Sequence, residues 1–115
     1  MGNADETLVV IWSSADKEVA RNMAFMYTYN AKKKGWWENV IFIIWGPSAK
    51  LLAEDTQLQH LLKNMKDIGI TLEACKSCSD DYGVSEVLEK MSVDVKYMGV
   101  PLTDYLKQGM HVLTF

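Results

Sequence analysis

The chain has 115 residues, of which 49% are hydrophobic and 23% are charged, and its formal net charge is -3. This length predicts a single domain over residues 1–115, and the composition is that of a chain that folds. The acidic balance disfavours nucleic acid as a partner. The longest apolar run, residues 40–45, is far shorter than the roughly 20 residues of a membrane-spanning helix, so no membrane segment is expected.

Strand and helix patterns alternate along the chain. Apolar, β-branched runs are typical of strands buried on both faces, and residues at helical spacing follow them. In chain order we predict a strand at 7–12, a helix up to Gly35, a strand at 40–45, helices from 49 to 66 with a break at 54–56, a strand at 70–74, a helix from 77 to about 91, a strand at 93–97, a helix at 102–107 and a strand at 110–115. Such alternation predicts an α/β domain with a mostly parallel five-stranded sheet between helices.

The N-terminus and the cysteine count bear on the compartment. Residues 1–6 lack the apolar core of a signal peptide, and Glu6 stands where a myristoylation signal has Ser or Thr. A cytoplasmic location is therefore expected. In a reducing cytoplasm, two cysteines three residues apart are more often catalytic, redox-active or metal-binding than structural.

Those cysteines, Cys75 and Cys78, lie where the third predicted strand passes into a helix. Ser77 with Asp80 resembles a capping box, which would make Cys78 the first helical residue. A helix N-terminus carries about half a positive charge and Lys76 adds a cation, so a lowered pKa is expected for at least one thiol. Such a thiolate would attack electrophilic or sulfane sulfur, and the spacing also permits an internal disulfide.

Ligands of parallel α/β sheets bind beyond the carboxyl ends of the strands. The loops after residues 12, 45, 74 and 97 all belong to that edge. Seven residues of these loops are expected to converge there: Ser13, Ser14, Gly46, Cys75, Cys78, Gly99 and Pro101. Lys76 and Ser77 complete the predicted substrate pocket.

Other interpretations of the cysteines stay open. Both thiols could be packed hydrophobes in a non-enzymatic interaction module. A dithiol redox role is a second alternative, although thioredoxins place C-x-x-C after an earlier strand. No metal is expected, because His60 and His111 have no ligand spacing to the cysteines. No cofactor is expected either, because neither a P-loop nor G-x-G-x-x-G occurs.

Three tryptophans flank the second predicted strand, namely Trp36, Trp37 and Trp45. They could stack on a ligand, but aromatic residues in such places more often pack in a core or at a subunit interface. The interface is the favoured interpretation.

The motif Cys75-x-x-Cys78-x-x-x-x-Gly83-Val84 after the third strand resembles the DsrE/DsrF-like family of small sulfur-relay proteins. Further similarity lies in the second strand closing on Gly46 and Pro47 and in the turn at residues 97–102. The resemblance implies a three-layer, doubly wound domain of flavodoxin-like topology. It also implies assembly as a homo-oligomer, a trimer or hexamer.

The same resemblance implies roles for the cysteines. Some members carry sulfur as a persulfide on the cysteine eight residues before the glycine, which is Cys75 here. Cys78 matches the second cysteine of a subset and would resolve the persulfide or form a disulfide. We therefore predict a sulfur-relay protein with sulfur donor and acceptor proteins as partners. Because no other catalytic acid or base is evident, a carrier is favoured over a complete sulfurtransferase.

Overall fold

The computed structural model describes residues 4–115. Its strands are β1 (Thr7–Trp12), β2 (Asn39–Ile44), β3 (Thr71–Cys75), β4 (Asp94–Lys96) and β5 (His111–Thr114). They form a five-stranded sheet in the order β4-β3-β2-β1-β5, and each neighbouring pair is parallel. The predicted five-stranded α/β architecture is therefore confirmed, and its sheet is parallel throughout.

Helices connect the strands. They are α1 (Lys17–Val19), a π-helical stretch (Ala20–Phe25), α2 (Met26–Lys33), α3 (Ser48–Glu54), α4 (Thr56–Asp67), α5 (Lys76–Asp81), α6 (Ser85–Lys90) and α7 (Gly99–Lys107), with a 3-10 turn at Ala4–Glu6 before β1. The break at 54–56 is confirmed, because the Asp55 carboxylate accepts from the Leu58 N–H at 2.9 Å and caps α4. None of the described helices is long and apolar enough to cross a bilayer.

The helix after the cysteines differs from its prediction. It begins at Lys76 with Cys75 at the N-cap, and it ends at Asp81. Gly83 then takes a positive φ of 71°, a conformation that interrupts a helix, and α6 starts anew. The predicted capping box of Ser77 is absent, because the Asp80 carboxylate instead accepts from Lys76 and Ser85.

The last helix also starts earlier than predicted. Gly99 and Pro101 were expected in a loop, whereas α7 begins at Gly99 and includes both in its first turn. Proline is tolerated there because N–H groups of the first turn have no partner within the helix.

The two faces of the sheet are covered unequally. On the first face, residues such as Val10, Phe42 and Ala74 pack under the helices from α1 to α6, and Trp12 stacks on Phe42 with ring centroids 5.8 Å apart. On the second face, α7 lies over the sheet on the chain's path from β4 at one edge to β5 at the other. The doubly wound prediction is confirmed. In flavodoxin-type sheets the second strand of the chain is the edge strand beside the first strand. Here the edge strand beside β1 is β5.

Candidate functional site

Cys75 ends β3 and directs its side chain to the second face of the sheet. There it packs with Val9, Ile43 and Met98. Only 5% of the residue is exposed. Its extended backbone, with φ -73° and ψ 113°, makes it the N-cap of α5, but its side chain makes no capping bond. The predicted relay residue is thus a buried thiol.

Cys78 lies one turn later at the rim of the same cluster and is half-buried. Burial raises the pKa of the Cys78 thiol; the Gly46 backbone N–H opposes the rise, and a hydrogen bond with Cys75 adds to it. The two thiols are therefore neighbours. For Cys78 the shift is opposite to the lowered pKa expected of at least one thiol, because desolvation outweighs the favourable amide.

Lys76 and Ser77 lie on the solvent side of this turn. The Lys76 ammonium is 3.0 Å from the Asp80 carboxylate and 5.9 Å from the centre of the Tyr97 ring. The hydrogen bond that Lys76 donates to Asp80 raises the pKa of Lys76, so its charge is held in an exposed ion pair. Ser77 is exposed. The cation that sequence reasoning assigned to the thiols is thus shared with a carboxylate.

Ser13 and Gly46 reach the same edge from β1 and β2. The Ser13 hydroxyl donates to the Phe115 carbonyl at 2.9 Å, and the Ser13 N–H donates to the same oxygen at 2.7 Å. At Gly46, with φ 77°, a Cβ would lie 4.0 Å from the Ser13 carbonyl oxygen, and the Gly46 N–H forms a hydrogen bond with the Cys78 thiol. Ser14 instead accepts from the Asp16 N–H at the start of α1. The structure thus brings Gly46 close to both Ser13 and Cys78.

Gly99 and Pro101 follow Met98, the residue that contacts the cysteine cluster. Met98 is 1% exposed and packs on Cys75, whereas Gly99 is exposed and Pro101 is half-buried. These two residues therefore lie in the first turn of α7, directly after the residue that packs on Cys75.

Sequence reasoning missed a buried polar cluster beside Cys75. Glu73, two residues earlier on β3, is 4% exposed. Its carboxylate accepts from the Tyr105 hydroxyl of α7, which lies 2.9 Å from both oxygens, and from the Lys96 ammonium at 2.9 Å. Lys96 is the register partner of Cys75 on β4, and it also pairs with Asp94 at 2.9 Å.

Burial and the hydrogen bond to Glu73 raise the pKa of Tyr105 to about 12. The hydrogen bond to Glu73 also raises the pKa of Lys96. Tyr105 is thus a stable donor and Lys96 a stable cation at neutral pH. One signal could have revealed the cluster: Glu73 is charged within an apolar strand, and the period of two puts it on the face of Cys75.

The other candidates lie elsewhere. His60 is exposed on α4, and the His111 ring is 5.2 Å from that of Trp37, so neither lies in the cysteine cluster. Trp36 is half-exposed, Trp37 donates to the Tyr27 hydroxyl, and Trp45 packs at the edge of the second face.

The fold and the site together define a class, a doubly wound parallel α/β domain with a cysteine pair after the third strand. The chain belongs to the DsrE/DsrF-like family, whose sequence model matches residues 7–115. No curated protein matches the chain.

Solved structures that resemble this chain include the following two. One is a conserved protein of unknown function, BT1422 from Bacteroides thetaiotaomicron, with 40% identity, a TM-score of 0.95, and coverage of 100% of this chain and 99% of that one. The other is the ychN protein from E. coli, with 16% identity, a TM-score of 0.75, and coverage of 96% and 99%. The second likeness shows the fold alone.

Proposed function

We propose that this protein is a cytoplasmic sulfur carrier that holds sulfane sulfur as a persulfide on Cys75. Its membership of the DsrE/DsrF-like family supports a role related to sulfur relay. The observation that carries the proposal is the pair of neighbouring thiols at the carboxyl edge of the sheet. Met98 packs on Cys75, and the Gly46 N–H lies at Cys78.

The transfer requires no net oxidation. The Cys75 thiolate would attack the outer sulfur of a donor persulfide, R-S-SH, forming Cys75-S-SH and releasing R-S⁻. An acceptor thiolate would then attack that same outer sulfur, regenerate the Cys75 thiolate and leave as the new persulfide. No additional catalytic acid or base is needed, which fits a carrier.

Cys78 would terminate the cycle when no acceptor arrives. Its thiolate would attack the inner sulfur of the Cys75 persulfide, form the Cys75-Cys78 disulfide and expel HS⁻. The raised pKa keeps most of Cys78 protonated at neutral pH, so this discharge is slow and the persulfide is protected.

Dithiol redox exchange is a second candidate function, favoured by the contact between the thiols. It predicts an internal disulfide on mild oxidation, without sulfur uptake. The third candidate, an interaction module with packed cysteines, is favoured by the burial of Cys75. It predicts thiols that react only in denaturant.

Sulfur uptake can be assigned to one cysteine without mutation. Trypsin cleaves after Lys76, so Cys75 falls in the peptide 67–76 and Cys78 in the peptide 77–90. The protein is incubated with a small persulfide, alkylated and digested. We expect a reducible gain of about 32 Da, one sulfur atom, on peptide 67–76.

The matched variants decide the role of each thiol. Cys78→Ser should keep the adduct and Cys75→Ser should lose it. An unmodified peptide 67–76, under conditions that load a free thiol, would refute the relay. A disulfide without an adduct would favour the redox alternative.

We also propose that the protein is a homo-oligomer, a trimer or hexamer. Trp36, half-exposed, borders a groove of about 400 Å³ with Met23, Met26 and Leu113, which are also exposed. Apolar side chains of this kind are enriched at interfaces between subunits. Light scattering of the wild type and of Trp36→Ser tests the assembly, and a monomeric wild type would contradict it.

A further inference from the structure

A buried Cys75 cannot meet a sulfur donor, so the structure must open somewhere if the proposed relay operates. The first face offers no route, because it is sealed by the main apolar core. On the second face, Cys75 is covered by Met98, which immediately precedes α7.

The helix α7 has little apolar attachment of its own. None of its residues is buried, and Val100 and Leu106 are 73% and 54% exposed. The free energy that holds a segment in place grows with its buried apolar area, so segments with little of it open locally. The strands on either side, β4 and β5, have three and four residues and form the two edges of the sheet.

A polar contact replaces that missing apolar attachment. The Tyr105 hydroxyl, in the last turn of α7, donates to the Glu73 carboxylate two residues before Cys75. Hydrogen bonds to charged groups are stronger than those between neutral groups. Tyr105 and Glu73 therefore connect the covering helix to the strand that carries the thiol.

The same cluster lowers the free energy needed to move α7 away from Glu73. When Tyr105 departs, Glu73 keeps the Lys96 ammonium at 2.9 Å, so no unpaired charge is left in the sheet. Lys96 in turn keeps Asp94. Since an orphaned buried carboxylate would be costly, this second partner is what allows the first to leave.

From these contacts we infer that α7 is a gate over Cys75, closed by the Tyr105-Glu73 hydrogen bonds and hinged on the short edge strands. Opening of residues 97–110 lifts Met98 and exposes the thiol, while the core of the first face stays folded. The inference rests on the proposed function only for the identity of the entering molecule, a sulfur donor. The gate itself controls access of any reagent to Cys75.

The test measures access with an alkylating reagent, so sulfur chemistry is not involved. N-ethylmaleimide is added to the folded protein in 0–2 M urea, and labelling of peptide 67–76 is followed in time. We expect a shallow urea dependence, because local opening exposes less surface than global unfolding. Hydrogen exchange of residues 99–107 in the wild type should show the same shallow dependence.

Two tyrosine variants on one segment provide the contrast. Tyr105→Phe should label Cys75 about tenfold faster than the wild type. Tyr97→Phe, at a residue 66% exposed, should label at the wild-type rate. Equal rates in all three proteins would overturn the gate. So would a urea dependence in the wild type as steep as that of global unfolding, a result that needs no variant to fold.

The outcomes separate the two proposals. If Tyr105→Phe accelerates labelling but Cys75 never takes up sulfur, the gate stands and the relay fails. If sulfur is taken up at equal rates in Tyr105→Phe and Tyr97→Phe, the relay stands and the gate fails.

Discussion

The two faces of one sheet are built in different ways. Among the described residues, the first-face core cluster holds 20 buried apolar side chains and the second-face cluster holds four, one of them Cys75. The first face gains its stability from burial and close packing. The second face has one covering helix and a charged cluster, and both the proposed relay and the inferred gate lie on it, while the first face supplies the scaffold.

A pair of isoleucines on β2 measures this difference directly. Ile44 is buried on the first face and Ile41 is half-buried on the second. We expect Ile44→Ala to lower the free energy of unfolding by about 4 kcal/mol, because it leaves a cavity, and Ile41→Ala by about 1.5 kcal/mol. Urea denaturation of both variants checks this.

Equal losses would show that both faces are packed alike. A loss at Ile41 that grows with protein concentration would show that a second copy covers this face, because association stabilises only the assembled form.

Alkaline pH should weaken the second face selectively. Tyr105, with a folded pKa of about 12 against about 10 in the unfolded chain, holds its proton more tightly when folded. Its contribution is therefore complete below pH 10 and is lost as pH rises toward 12. The raised pKa of Lys96 acts in the same direction.

Urea denaturation at several pH values from 9 to 12 tests this expectation. The wild type should lose roughly 1 kcal/mol more than Tyr105→Phe, after allowing for solvent screening of a half-buried group. Tyr97→Phe serves as the control and should follow the wild type. Identical pH profiles for Tyr105→Phe and the wild type would contradict the assignment.

The smallest expected effect concerns Cys78, at the rim of the second face. It is a change in the alkylation rate of this thiol, without a change in the free energy of unfolding. Because burial raises the pKa of Cys78, its thiolate is scarce at neutral pH. Alkylation of peptide 77–90 should therefore rise about tenfold per pH unit and continue to rise above pH 9. A plateau below pH 8 would mean that the Gly46 amide outweighs burial.

Local chemistry in the sequence determined the elements. The strand at 7–12 and the break before α4 follow from patterns within a few residues, and the structure has them in those places. The helix starts at Lys76 and Gly99 were harder to predict from the sequence. The first residue of a helix depends on the turn before it, and the packing of the whole chain sets that turn.

Only part of the candidate site could be predicted from the sequence. The cysteine pair and its place after the third strand could be identified from the sequence, because spacing and strand pattern are local. Glu73 and Tyr105 are 32 residues apart, and Ser13 and Phe115 are 102 apart, so their contacts exist only once the sheet is assembled.

By itself the sequence determined the alternation of strands and helices and the candidate thiols, because these depend on near neighbours along the chain. Only the tertiary structure decided that Cys75 is buried, that Met98 packs over it and that Lys76 pairs with Asp80. Burial and ion pairing depend on which distant elements pack together. These surroundings set the free energy of ionising a thiol or a carboxyl group.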